Sequence, residues 1–261
     1  MSRSAAMEET APYPPLPEAR GLRLRRFGTR LEDLEVDLSG EDRPRAITDV
    51  LVACTVPGRD AGFYWDLPVG KRVECLLVLA ALDGAGEIGA GFRCECGQSL
   101  EITLTLDELL AAGRAAPDPV ALTEGVAMHR VRRPSARDQA AWAAGEYADE
   151  EEMGRAIAVR LAEPGAEWDV AALHRMEGAL DAADPLVRAA VEAACPDCGR
   201  TSEHEMDLAG FVLARLARAQ DALLETVHLL ASRYHWSEAE ILALPAWRRS
   251  RYVALLERET R

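Results

Sequence analysis

Four of the chain's six cysteines fall into two tight pairs, Cys94-Glu-Cys96-Gly97 and Cys195-Pro-Asp-Cys198-Gly199. Two thiolates this close can bite one metal ion only if the chain turns sharply between them. The glycine after each second cysteine permits the backbone angle such a turn needs. Each pair is followed by a short polar stretch that reads as a strand, Ser99–Thr105 and Thr201–Met206, and then by an Asp-led helix start at Asp107 and Asp207. The two segments have the character of the two halves of a zinc ribbon. They predict one structural four-thiolate Zn2+ site per chain, made by Cys94, Cys96, Cys195 and Cys198. Cys94-x-Cys96 is one residue shorter than the usual knuckle.

Two other readings of these cysteines stand beside it. Free cysteine is often simply buried. Cys195-Pro-Asp-Cys198 also has the loop of a redox pair, although no thioredoxin-like βαβ pattern surrounds it. Cys54 and Cys75 lie on apolar helix faces and read as core residues.

The 98 residues from 97 to 194 are far too many for a compact ribbon, which needs about 15–20 between its pairs. They predict an insertion tied at both ends by the metal. Closing a long loop costs little more than closing a short one, because the entropy grows only as the logarithm of length. The expected fold class is α+β and mainly α-helical, with zinc-ribbon-like knuckles and short antiparallel strands around a helical insertion. The expected organisation has four parts. Residues 1–21 form a disordered Pro-rich tail. Residues 22–207 form a composite domain with ribbon halves near 87–106 and 194–207. Within it, about 113–194 is a hairpin and helical insertion. Residues 208–261 form a C-terminal helical segment.

Periodicity places the elements. Leu22–Phe27 reads as an edge strand. Pro44–Val56 and Val69–Leu82 read as helices, the second more buried, closed by a turn at Asp83-Gly84. Glu87–Arg93 reads as a strand into the first knuckle. Val120–Arg133 reads as two strands around Glu124-Gly125. Helices follow at 136–144, 149–161, 168–181 and 186–194. Ser135 caps the first of these, and Asp184-Pro185 starts the last. Leu208–Tyr234 is one long helix. Ser237 and Glu240 form a capping box, and Ala246–Glu259 is the last helix.

The net charge is −14, which opposes a general nucleic-acid coat, since phosphate binding needs a positive field. No stretch reaches the roughly 18 apolar residues of a membrane helix, and the N-terminus lacks a signal-peptide core. A soluble cytoplasmic protein is expected. The five histidines have no metalloprotease spacing, and no nucleotide or nucleophile-elbow motif is present. His204, six residues after the second knuckle, reads as a solvated strand position, with a neighbour of the metal ligands as the alternative. The last helix carries a basic stripe, and Trp236, Trp247, Arg248, Arg249, Arg251 and Tyr252 are the candidate partner-binding residues. Wet helix faces are often charged in this way without binding anything.

Further motifs occur in a definite order. They are Leu67-Pro-Val-Gly70, the first knuckle, Arg132-Arg-Pro134-Ser-Ala-Arg-Asp138-Gln139, Asp184-Pro185 and the second knuckle. Then come His228-Leu-Leu-Ala-Ser-Arg-Tyr234-His-Trp236-Ser-Glu-Ala-Glu-Ile241-Leu-Ala-Leu244, Arg248, Arg249 and Tyr252. Over roughly residues 45–258 this series resembles the T-even-type baseplate hub assembly chaperone family of contractile phage tails and phage-like injection systems. The resemblance implies a non-enzymatic assembly factor whose partner is a baseplate hub or spike protein. The short first knuckle departs from the family's usual spacing. The alternative expectation is a zinc-ribbon adaptor in transcription or nucleic-acid binding.

Overall fold

The structure, a computed structural model, describes residues 10–14, 19–124, 127–164 and 168–259. Strands β1 (Thr10–Pro12), β2 (Arg23–Arg25) and β3 (Thr55–Val56) form a small antiparallel sheet in that order. Helix α1 (Arg43–Cys54) leads into β3, and α2 (Ala61–Asp66) precedes α3 (Val69–Leu82). Eleven of the fourteen residues of α3 are buried, so it is a central helix covered all round rather than an amphipathic surface one. Gly84, at φ +81°, ends it, and the Ala85 N–H reaches back to the Ala80 carbonyl at 2.9 Å.

The expected tail is corrected where β1 lies. Thr10–Pro12 pairs with β2, and Tyr13 is buried in the main core. The apolar Tyr13 ring and the β2 edge opposite β3 hold a segment that its prolines mark as loose, so the strand expected at an edge, Leu22–Phe27, is the middle one. Residues 1–9 and 15–18, also in the expected tail, lie outside the described residues.

Two hairpins follow the same plan. Strands β4 (Glu87–Arg93) and β5 (Ser99–Thr105) pair antiparallel, and α4 (Leu106–Ala115) follows. Its cap is Thr105, which forms a capping box with Glu108, rather than Asp107. In the insertion, β6 (Val120–Glu124) pairs with β7 (Ala127–Val131); the expected turn residue Gly125 lies outside the described residues. Helices α5 (Ala136–Ala143), α6 (Glu150–Leu161) and α7 (Val170–Ala183) come next. Val131, Ala158, Leu161, Leu173 and Met176 give this region its own small core. It docks on the frame through Val69 N–H to the Pro134 carbonyl at 2.8 Å and through Arg137 on Asp66.

Asp138 anchors the insertion. Burial alone would raise its carboxyl, but Arg132, the Ser135 N–H and hydroxyl, and Arg160 outweigh burial and hold it well below the usual carboxylate range.

The second hairpin, β8 (Ala189–Ala194) with β9 (Thr201–Met206), corrects the helix expected over 186–194. Alanine is the best helix former, but propensity is worth little per residue, and six cross-strand pairs with β9 override it. Asp184 is not the N-cap of a new helix, because its carboxylate is taken by buried Arg133 at 3.0 Å.

Helix α8 (Leu208–Tyr234) is N-capped by Asp207, which also holds Arg43 at 2.7 Å. Leu208, Val212 and Leu216 belong to the main core, so position 208 is no boundary of packing. Further along, Val227 and Leu230 join Ile241 of α9 (Glu238–Leu242) and Leu256 of α10 (Ala246–Glu259) in a separate small core. The Ser237–Glu240 capping box forms as expected.

Among the described residues the protein is therefore a mixed α+β fold, mainly helical, with short antiparallel strands. No helix among them is long and apolar enough to cross a membrane.

Candidate metal centre

The two hairpins bring their turns together. Across the first turn the Cys94 N–H donates to the Gln98 carbonyl at 2.8 Å, and the Gly97 N–H donates to the Cys94 carbonyl at 2.8 Å. Across the second, the Cys195 N–H donates to the Arg200 carbonyl at 2.8 Å, and the Gly199 N–H to the Cys195 carbonyl at 2.9 Å. Gly97 and Gly199 have φ of +96° and +71°, the left-handed conformation that the sequence pattern requires of them. The shorter first knuckle closes one residue tighter and still returns its strands to register, Arg93 facing Ser99.

All four sulfurs lie within 4.8 Å of one another. Two contacts cross between the hairpins: Cys94 Sγ to Cys198 Sγ at 3.7 Å, and Cys96 Sγ to Cys195 Sγ at 3.7 Å. A disulfide needs about 2.05 Å. Four sulfurs each about 2.3 Å from one ion at the centre of a regular tetrahedron lie about 3.8 Å apart. The cluster has the dimensions of the second arrangement, so these residues can hold a metal ion. Among the described residues no other group of three or more His, Cys, Asp or Glu side chains is placed to share one.

Each hairpin contributes one buried and one exposed thiol. Cys94 and Cys195 are 5% and 2% exposed, and Cys96 and Cys198 are exposed. Backbone N–H groups point at the sulfurs. The Cys198 and Asp197 N–H groups lower the Cys195 thiol to about 7. The Gln98 N–H also lowers Cys96, yet hydrogen bonding to Cys94, Cys195 and Cys198, together with desolvation, favours its protonated form and pushes that thiol up to about 12. A metal ion would take the place of that proton.

Sequence reasoning missed Phe92 at the seam and favoured the wrong one of two readings for His204. Phe92 of β4 stacks on His204 of β9 with ring centroids 4.5 Å apart, and Ser202 Oγ holds His204 Nε2 at 2.8 Å. His204 is thus half-buried between the hairpins rather than solvated. Phe92 also packs on Cys94, Leu100 and Cys195. An aromatic two residues before a knuckle cysteine, on the same strand face, was the available signal. Glu95 and Arg200 form an ion pair between the two turns. Cys54 and Cys75 are buried in the main core as expected, and burial pushes the Cys75 thiol up to about 12.

The six candidate partner residues do not form one surface. Arg249 is buried and donates to the carbonyls of Leu242 and Leu244, at 3.3 and 2.7 Å, closing the end of α9. Trp236 stacks on Tyr234 at 4.8 Å and meets Tyr252 edge-on at 5.1 Å, so both are part of the C-terminal core. Arg248 lies over the Tyr252 ring and donates to its hydroxyl at 3.0 Å. Trp247 and Arg251 face outward, Trp247 with 72% of its surface exposed.

The chain matches no family model, no curated protein and no solved structure.

Proposed function

We infer that Cys94, Cys96, Cys195 and Cys198 hold one structural Zn2+, and that the protein is a non-enzymatic assembly factor. Its proposed role is that of a chaperone for the baseplate hub or spike of a phage-like contractile tail or injection system. The observation that carries the metal reading is the convergence of the four sulfurs, all within 4.8 Å of one another and with two cross-hairpin pairs at 3.7 Å. Four thiolates fill the coordination of zinc and leave no open position for a substrate or water, which supports a structural ion over a catalytic one. The ion would supply a cross-link: it would tie the end of β4 to the end of β8, on the two hairpins that flank the insertion. The redox reading is disfavoured because Cys195 and Cys198 sit in a hairpin turn and not at a helix N-terminus.

The assembly role is supported by the ordered motifs of residues 45–258 and by a strongly acidic surface with outward apolar residues on α10. Protein purified without chelator is expected to contain about one Zn2+ per chain by elemental analysis, lost in Cys195→Ala and in Cys96→Ala. Metal-free protein would overturn the zinc reading. The tagged chain is expected to co-purify with a hub or spike protein from its own cells. Normal particles in a deletion strain, with no tail protein captured, would overturn the assembly reading.

A further inference from the structure

The insertion carries a groove that the metal centre does not use. Helices α6 and α7 diverge around a cavity of about 640 Å³ whose floor includes Ile157, Leu173, Met176 and Leu180. Gly154 sits inside α6, where an added Cβ would come within 3.2 Å of Leu173 Cδ1. A mid-helix glycine costs about 1 kcal/mol against alanine, and here it makes room for Leu173. Met153, Val170 and Val187 line the groove as exposed apolar side chains. Its rim is acidic. Glu151 and Asp181 are paired with Arg155 and Arg188, while Glu150 and Glu177 are exposed and have no ion-pair partner among the described residues.

The same chain exposes a helix of matching chemistry. On α10 the residues Trp247, Arg251, Leu255 and Arg258 recur at helical spacing and make one outward stripe, and all four are exposed. The opposite stripe, Tyr252, Val253 and Leu256, is used against α8 and α9. An apolar stripe interleaved with arginines is the complement of an apolar groove whose rim carries two unpaired carboxylates, Glu150 and Glu177.

We propose that two copies of this chain associate by exchange, α10 of each lying in the α6–α7 groove of the other. Trp247 and Leu255 then cover the apolar groove, and Arg251 and Arg258 lie over Glu150 and Glu177. Two identical contacts related by a two-fold axis close the pair, as an isologous dimer requires. The proposal rests on the groove and the stripe alone and stands whether or not the partner is a baseplate protein.

Light scattering and sedimentation of the full-length, metal-loaded chain over rising concentration test it. A dimer is expected, and Trp247→Ala and Met153→Arg are each expected to weaken it by roughly tenfold or more, as for a central aromatic anchor and its pocket. Both positions are exposed, so the monomer fold is retained. Two charge-reversed chains give the sharper test. Arg251→Glu with Arg258→Glu, and separately Glu150→Arg with Glu177→Arg, are each expected to be monomeric alone and to form a heterodimer when mixed. A wild-type chain that stays monomeric up to roughly millimolar concentration, or a dimer indifferent to these changes, would overturn the proposal. A monomeric chain that binds a basic amphipathic peptide in the groove would overturn it too, in favour of a foreign helix.

Discussion

The two cysteine hairpins do the same job from different sequences. The first, β4–β5, has seven cross-strand pairs, an alternating strand and a five-residue turn from Cys94 to Gln98. The second, β8–β9, has six pairs, an alanine-rich first strand and a turn one residue longer. Both present one buried and one exposed thiol, and both place a glycine with positive φ after the second cysteine. What is shared is therefore the geometry at the sulfurs, and what differs is everything the strands contribute. The comparison teaches that the cysteine–glycine spacing, rather than strand propensity, specifies these turns.

Removing the metal is the largest test of that view. Structural zinc sites bind with apparent free energies on the order of 10 kcal/mol, much of it expressed as folding. Treatment with a strong chelator is expected to lower the calorimetric melting temperature. It should also open both hairpins to protease together, while amides of α3 stay protected in hydrogen exchange. Loss of one hairpin without the other would break the equivalence drawn here.

A second test separates the insertion from the hairpins that flank it. Asp138→Asn removes an anchor made by Arg132, Arg160 and the Ser135 N–H and is expected to cost about 2 kcal/mol in denaturant unfolding, with zinc content unchanged. The Asp138 carboxyl is depressed in the folded state. Its contribution is therefore present above the unfolded value near pH 4 and is lost as pH falls further, through the folded value. The wild type should lose more stability than the variant when titrated down from about pH 4.

Smaller still, Gly97→Ala and Gly199→Ala meet no neighbouring atom within 4 Å, so each should cost only the left-handed backbone penalty of about 1–2 kcal/mol. Equal costs in competitive zinc titration would confirm that the two knuckles are equivalent despite their lengths; a much larger cost at Gly97 would show that the tighter turn carries strain. Least of all, Phe92→Leu is expected to lose about 1 kcal/mol of stacking on His204 while keeping the metal.

Much of this was legible beforehand. The helix at Val69–Leu82, the long helix from Leu208, the caps at Ser135 and Ser237 and the two cysteine turns all follow from signals within a few residues. The second ribbon strand was not legible. Ala189–Ala194 carries no period-two signal of its own, and its alternation appears only against Thr201–Met206. Arg249 reads as one more member of a basic stripe, yet its guanidinium turns inward to two carbonyls. Trp236 and Trp247 look alike in sequence, but one is locked between two tyrosines and the other stands in solvent.

The sequence by itself singled out the four cysteines that can hold a metal ion, because a chelating turn is a local object: two sulfurs, a tight loop and a glycine fit within five or six residues. It also determined most helix boundaries, since caps and breakers act over one turn. Only the tertiary structure decided which sulfurs face each other across the insertion, Cys94 with Cys198 and Cys96 with Cys195, each at 3.7 Å. Only there did α8 divide its length between two cores and Asp184 turn to Arg133. These outcomes depend on partners tens of residues away, and the free energy that selects among them comes from burial and pairing that no local window contains.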